Sequence, residues 1–158
     1  MITGMEITLR PIGWVRNRVQ EPRPEGWGSV ESVIELEPEM APALAGLDGF
    51  SHIIMLFWMH QIPEELRIAG RHHPGNRQDL PLVGDFATRT QLRPNPIGLA
   101  IVPLLQVDGP RLHVRGLDAI DGTPIIDIKP YLPPYDSPKD PRVPSWVWGV
   151  NDHAIESQ

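Results

Sequence analysis

The sequence contains no cysteine. That excludes a disulfide scaffold, a thiolate metal site and a cysteine nucleophile. It also lacks room for long helices. Its 19 prolines are spread widely, and the longest proline-free run, between Pro42 and Pro63, is interrupted by Gly46 and Gly49. Proline inside a helix removes a donor and clashes with the preceding turn. Helical bundles, coiled coils and membrane-spanning helices are therefore excluded. A doubly wound α/β domain has nowhere to put its helices. Lysine is scarce: of 14 basic residues only Lys129 and Lys139 are not arginine. No Gly-rich phosphate loop, phosphate-loop lysine or Gly-x-Ser-x-Gly elbow is present, so nucleotide binding of the usual α/β kind has no support. Residues 1–10 carry Glu6 and no uninterrupted apolar stretch, so no signal peptide is expected there and a cytoplasmic protein is the default.

What remains is a chain of 158 residues with net charge −6, long enough for one domain with a substantial core. The charge argues against wholesale coating of nucleic acid, but it is uneven. From Arg67 to Arg93 five arginines face only Asp79 and Asp85. Arginine suits two-pronged contacts to carboxylate or phosphate, although such an excess also arises on an ordinary solvated face.

Short β-rich runs alternate with turn residues. Strands are expected at 7–15 (with Pro11 forcing an edge or a bulge), 30–36, 51–60, 82–87, 98–107 and 111–117. A helical turn or two is expected at 39–45, stopped by Gly46. In 51–60 both alternating faces are largely apolar, which predicts a central strand covered on both sides. Asp108-Gly109 and Asp121-Gly122 mark two hairpin turns. Trp146 and Trp148 alternate with Val147 and suggest an edge strand. The fold class is mainly β: a single closed or nearly closed β-barrel of short strands with very little helix, spanning 1–136. Residues 137–158 form a Pro- and Trp-containing tail packed on or between barrels.

Three features invite chemistry. His72-His73 has no third ligand at a suitable spacing, so no metal site is expected. Asp127 and Lys129 share a strand face, which suits either a rim ion pair worth at most about 1 kcal/mol or an acid/base group at a pocket mouth. Pro94 and Pro96 fix the backbone around Asn95, with Arg89 and Arg93 beside it. This is either a structural corner or a rigid holder for an anionic or polar ligand.

Asp48-Gly49-Phe50-Ser51-His52-Ile53 with its following strand resembles the first signature of the TsaA-like (YaeB/TrmO) family. Phe86-Ala87-Thr88-Arg89 followed by Arg93-Pro94-Asn95-Pro96-Ile97-Gly98-Leu99 resembles the second. Gly116-Leu117-Asp118, Asp121-Gly122-Thr123-Pro124 and Asp127-Ile128-Lys129-Pro130-Tyr131 resemble the third. The resemblance covers roughly residues 7–136. It implies a homodimeric β-barrel methyltransferase that uses S-adenosylmethionine to methylate the exocyclic nitrogen of threonylcarbamoyladenosine beside the tRNA anticodon. Alternatives are a methyltransferase on another RNA or a small molecule, or a non-catalytic S-adenosylmethionine-binding regulatory module.

The resemblance further implies cofactor contacts from His60, Gln61, Arg89, Leu99, Asp118, Ala119, Ile120 and Asp121. Leu99 and Ile120 would line the adenine slot, and Asp118 or Asp121 would take the ribose. Arg93 and Asn95 would contact substrate, with Arg89 or Arg93 on its carboxylate. Asp127, Lys129 and Tyr131 form the acceptor-side catalytic group, Asp127 or Tyr131 taking the proton. The chain departs from the family pattern at 21–28, where a Pro-Arg-Gln element is usual, and at Asp85, where an apolar residue is usual.

Overall fold

The computed structural model describes residues 4–150. The end of the expected tail, 151–158, lies outside the described residues. Six strands close a barrel in the order β1-β2-β7-β6-β3-β8. They are β1 (Gly13–Arg16), β2 (Glu31–Leu36), β3 (His52–Trp58), β6 (Ile97–Asp108), β7 (Arg111–Arg115) and β8 (Pro124–Pro130). All neighbours run antiparallel. Two-residue strands β4 (Arg71–His72) and β5 (Val83–Gly84) pair beside it. Short 3-10 turns fill several connections, including Pro38–Leu44 where a helical turn is expected. No helix among the described residues is long and apolar enough to cross a membrane.

The alternation of each strand places one apolar set inside. Val15, Ile34, Ile53, Met55, Val102, Leu112, Val114 and Ile125 are essentially inaccessible, so every barrel strand contributes to one core. Each such side chain contributes about 1.5–3 kcal/mol of burial.

Several expectations need correction. Pro11 does not interrupt a strand, because pairing begins only at Gly13. The segment 82–87 pairs for two residues and then tightens into a 3-10 turn, Asp85–Ala87. The first hairpin loop is Gly109-Pro110, with Asp108 still paired to Arg111. Gly109 alone has positive φ, 55°, as a type II′ turn requires. Asp121-Gly122 does turn, but no hairpin results: β8 pairs with β3 and β1, not with β7. Trp146 and Trp148 lie in a helical turn, Trp146–Val150, rather than a strand. Arg77 holds that turn by donating to the Gly149 carbonyl at 2.9 Å.

The largest correction concerns β3. Its inner face, Ile53, Met55 and Phe57, is buried, but Ile54, Leu56 and Trp58 are only half-buried. Register places them beside Ile101, Leu99 and Ile97 of β6, which are also exposed. An apolar strip therefore runs along the outside of the barrel.

Candidate active site

Antiparallel closure collects particular chain ends at one rim. The ends of β1, β3 and β7 and the starts of β2, β6 and β8 all emerge there. The connections leaving this rim enclose a cavity of about 670 Å³, within the range of small-molecule sites. Phe57 borders it from β3, Met59 from just after that strand, and Ile120 and Thr123 from the segment before β8. His60 and Gln61 join it from the end of β3. Arg89, Arg93 and Asn95 come from the loop before β6, and Ile97, Gly98 and Leu99 from the start of that strand. Asp118 and Ala119 come from the segment before β8.

Local geometry explains how these residues are held. Asn95 accepts a hydrogen bond from Ile97 N (2.7 Å) and Pro96 from Met59 N (2.8 Å), each through its carbonyl. The Pro-flanked corner is thereby tied to the end of β3, with Pro96 buried. Gly98 lies against the Phe57 ring, where any Cβ would collide. Beside Phe57 the β3–β8 register shifts, a bulge of the kind found at barrel rims.

The electrostatics are asymmetric. The Asp118 carboxyl opens to the solvent of the cavity, yet burial by the surrounding protein raises its pKa, against the pull of its own backbone and of Arg89. Arg93 is committed to structure, donating to the Thr90 carbonyl at 3.0 Å and the Thr88 carbonyl at 3.4 Å. Arg89 has no hydrogen-bond or ion-pair partner among the described residues, so its donors are available to a ligand.

Most of the residues expected to bind cofactor or substrate thus meet in one place. Two sets do not. Asp121 does not border the cavity; its carboxylate accepts from Asn17 N at 3.1 Å and fixes the turn against β1. Asp127, Lys129 and Tyr131 do not border it either. Asp127 and Lys129 form an ion pair at 2.7 Å on β8, opposite Leu56 and Ile54, on the outward face. Tyr131 follows, its N–H donating to the His52 carbonyl at 3.1 Å.

A family description, tRNA-methyltransferase O N-terminal domain, matches residues 15–137. The chain belongs to this family. A relative from Methanothermobacter thermautotrophicus, named a probable S-adenosyl-L-methionine-binding protein, is 45% identical over 141 residues, covering 86% of this chain and 98% of that one. A mouse relative named tRNA (adenine(37)-N6)-methyltransferase is 40% identical over 111 residues, covering 70% of this chain and 24% of that one. The crystal structure of TrmO from Pseudomonas aeruginosa superposes with a TM-score of 0.69 at 35% identity, over 87% of this chain. This chain spans 62% of that one.

The loop at 21–28, one of the two departures from the family pattern, borders the cavity. Pro22, Arg23, Pro24 and Trp27 all border the cavity. Arg23 lies over the Trp27 ring at 5.0 Å and donates to the Gly26 carbonyl, while Trp27 Nε1 donates back to the Arg23 carbonyl. The sequence does not mark these residues as ligands; its one local signal is the Pro-Arg-Pro triplet at 22–24. Asp85 is the second departure. It is buried, accepts from Gly70 N at 2.5 Å and contacts His72 Nδ1 at 2.8 Å. Its pKa is lowered, chiefly by the Gly70 N–H and then by His72. No group of three or more His, Asp or Glu able to hold a metal occurs among the described residues.

Proposed function

We propose that this chain is an S-adenosylmethionine-dependent tRNA methyltransferase whose active site is the rim cavity. The carrying observation is convergence. Segments around residues 60, 89–99 and 118–120 bring apolar walls, an uncommitted guanidinium and a recessed carboxylate to one space of nucleoside size. The names of the relatives support the cofactor and the tRNA. The cytoplasm is then its place of work.

The residues fit the cofactor. Leu99, Ile120 and Phe57 provide an apolar slot for a purine. Asp118 accepts hydrogen bonds from ribose hydroxyls. With Arg93 tied to carbonyls, Arg89 holds a ligand carboxylate. S-adenosylmethionine, when bound, supplies a methyl group on a good leaving group, so the protein chiefly has to align the reacting atoms.

In its finer form the proposal places methylation on the exocyclic nitrogen of threonylcarbamoyladenosine beside the anticodon. That nitrogen is conjugated to a carbamoyl group, and removing its proton favours reaction. The acceptor-side role of Asp127, Lys129 and Tyr131 depends on a homodimer. Asp127 stands two strands from Leu99 on the outward face, about 10 Å away across the sheet. A second copy seated on the apolar strip both covers that strip and brings its own Asp127, Lys129 and Tyr131 toward the neighbouring cavity.

The test is to incubate the protein and labelled S-adenosylmethionine with tRNA from cells lacking this chain, then analyse nucleosides by mass spectrometry. Methyl gain on threonylcarbamoyladenosine is expected. Methyl gain on another nucleoside overturns the finer assignment. Calorimetric binding of S-adenosylmethionine without transfer to any tRNA identifies a regulatory module instead, and no binding overturns the cavity.

A further inference from the structure

Phe86 is the most exposed phenylalanine described, at 74%, and the structure makes no attempt to fold it away. A phenyl ring is ordinarily buried. Here it occupies the middle of a 3-10 turn fixed on both sides. Before it, the Asp85 carboxylate is held by Gly70 N and His72. After it, Thr88 donates to the Asp85 carbonyl through its N–H and its hydroxyl, both at 3.1 Å. The ring is therefore presented to solvent on a rigid support, which lowers the entropy cost of any contact it makes.

Its surroundings say what kind of contact. The Arg93 guanidinium lies 6.0 Å from the ring centroid, and Arg93 also borders the cavity. Phe86 thus stands one side chain away from the proposed active site. Of the two acids in the arginine-rich segment, Asp85 is committed internally and Asp79 is paired with Arg77 at 2.6 Å. Arg71 and Arg89 remain exposed nearby, Arg71 pairing across to Gly84.

We propose that Phe86, flanked by Arg93 and Arg89, is a stacking platform for an unpaired base of the tRNA anticodon loop. The inference rests on the tRNA reading above and specifies how the RNA docks. Unpaired RNA bases are recognised by stacking on aromatic rings and arginine planes, with backbone phosphates drawn to neighbouring cations. A net-negative chain that concentrates arginine in the segment carrying this exposed ring, with Arg93 beside the ring, is complementary to such a loop. A two-fold contact through this patch would instead set arginines against arginines.

The experiment measures binding of a fluorescein-labelled anticodon stem–loop RNA by anisotropy, and tRNA methylation kinetics, for the wild type and Phe86→Ala. The variant is expected to weaken RNA binding and raise KM for tRNA about tenfold, with S-adenosylmethionine affinity unchanged. Phe86→Trp should recover most of the affinity, and its emission should be quenched when the RNA is added. Wild-type RNA affinity in Phe86→Ala overturns the inference while leaving the methyltransferase reading intact. A change in solution mass instead of RNA affinity overturns it in favour of a protein contact. Phe86-dependent RNA binding without methyl transfer by the wild type supports the platform and overturns the enzyme reading.

Discussion

At the scale of single residues, two positions test the cavity by opposite routes. Gly98 has no room for a side chain because the buried Phe57 ring lies against it. Gly98→Ala should destabilise the protein by about 1–3 kcal/mol, the usual cost of overpacking, and should weaken S-adenosylmethionine binding as Phe57 shifts. Urea melts and calorimetry read the two effects. Asp118 shows the reverse trade. Burial holds its pKa above the ordinary 3.8, so folding opposes ionisation of this carboxyl. Its contribution to stability is greatest below the unfolded pKa and is lost as pH rises through the raised folded value. At neutral pH Asp118→Asn should therefore raise the melting temperature of the ligand-free protein, while weakening cofactor binding about tenfold through loss of a charged acceptor. A fall in both quantities would show that the carboxylate is structural.

At the scale of elements, the turn 85–87 matters because it carries Phe86 and leads to Arg89. Asp85 is not isolated polar surface; it locks this turn to β4 through His72 and to Gly70. Its lowered pKa means that the lock is present above the unfolded pKa near 3.8 and fails as pH falls through the lower folded value. Hydrogen exchange should show Thr88 N–H opening first on acidification, before the barrel strands. Asp85→Ala should produce the same local opening at neutral pH. Uniform loss of protection would assign Asp85 to global stability instead. No local pattern in the sequence marks this lock. Asp85 and His72 are 13 residues apart, in two pieces of chain too short to show a strand period. The Pro-fixed corner at 94–96 was legible, because proline restricts the backbone locally.

At the scale of the whole molecule, the uncovered strip on β3 and β6 is where the proposed dimer is tested. Ile101, at the end of the strip away from the cavity, is 48% exposed and lies outside the cavity. If a second copy covers the strip, Ile101→Lys should convert a dimer to a monomer by light scattering. Cofactor binding should persist while tRNA methylation falls, since Asp127, Lys129 and Tyr131 would no longer reach a neighbouring cavity. A monomeric wild type would remove Asp127, Lys129 and Tyr131 from the mechanism. The chain is acidic overall, with its arginines concentrated in one segment. KM for tRNA should accordingly rise steeply with salt while the cofactor affinity changes little, as phosphate contacts are screened.

The sequence by itself determined that this is a β-barrel with little helix, because proline spacing and side-chain alternation act over a few residues and need no partner. Its motifs also determined the family. Tertiary structure alone decided which strands are neighbours, that β3 is covered on one side only, and that Asp118 rather than Asp121 faces the cavity. Those outcomes depend on closure of the sheet, which sets residues a hundred positions apart side by side. No local pattern encodes which end of each strand will share a rim.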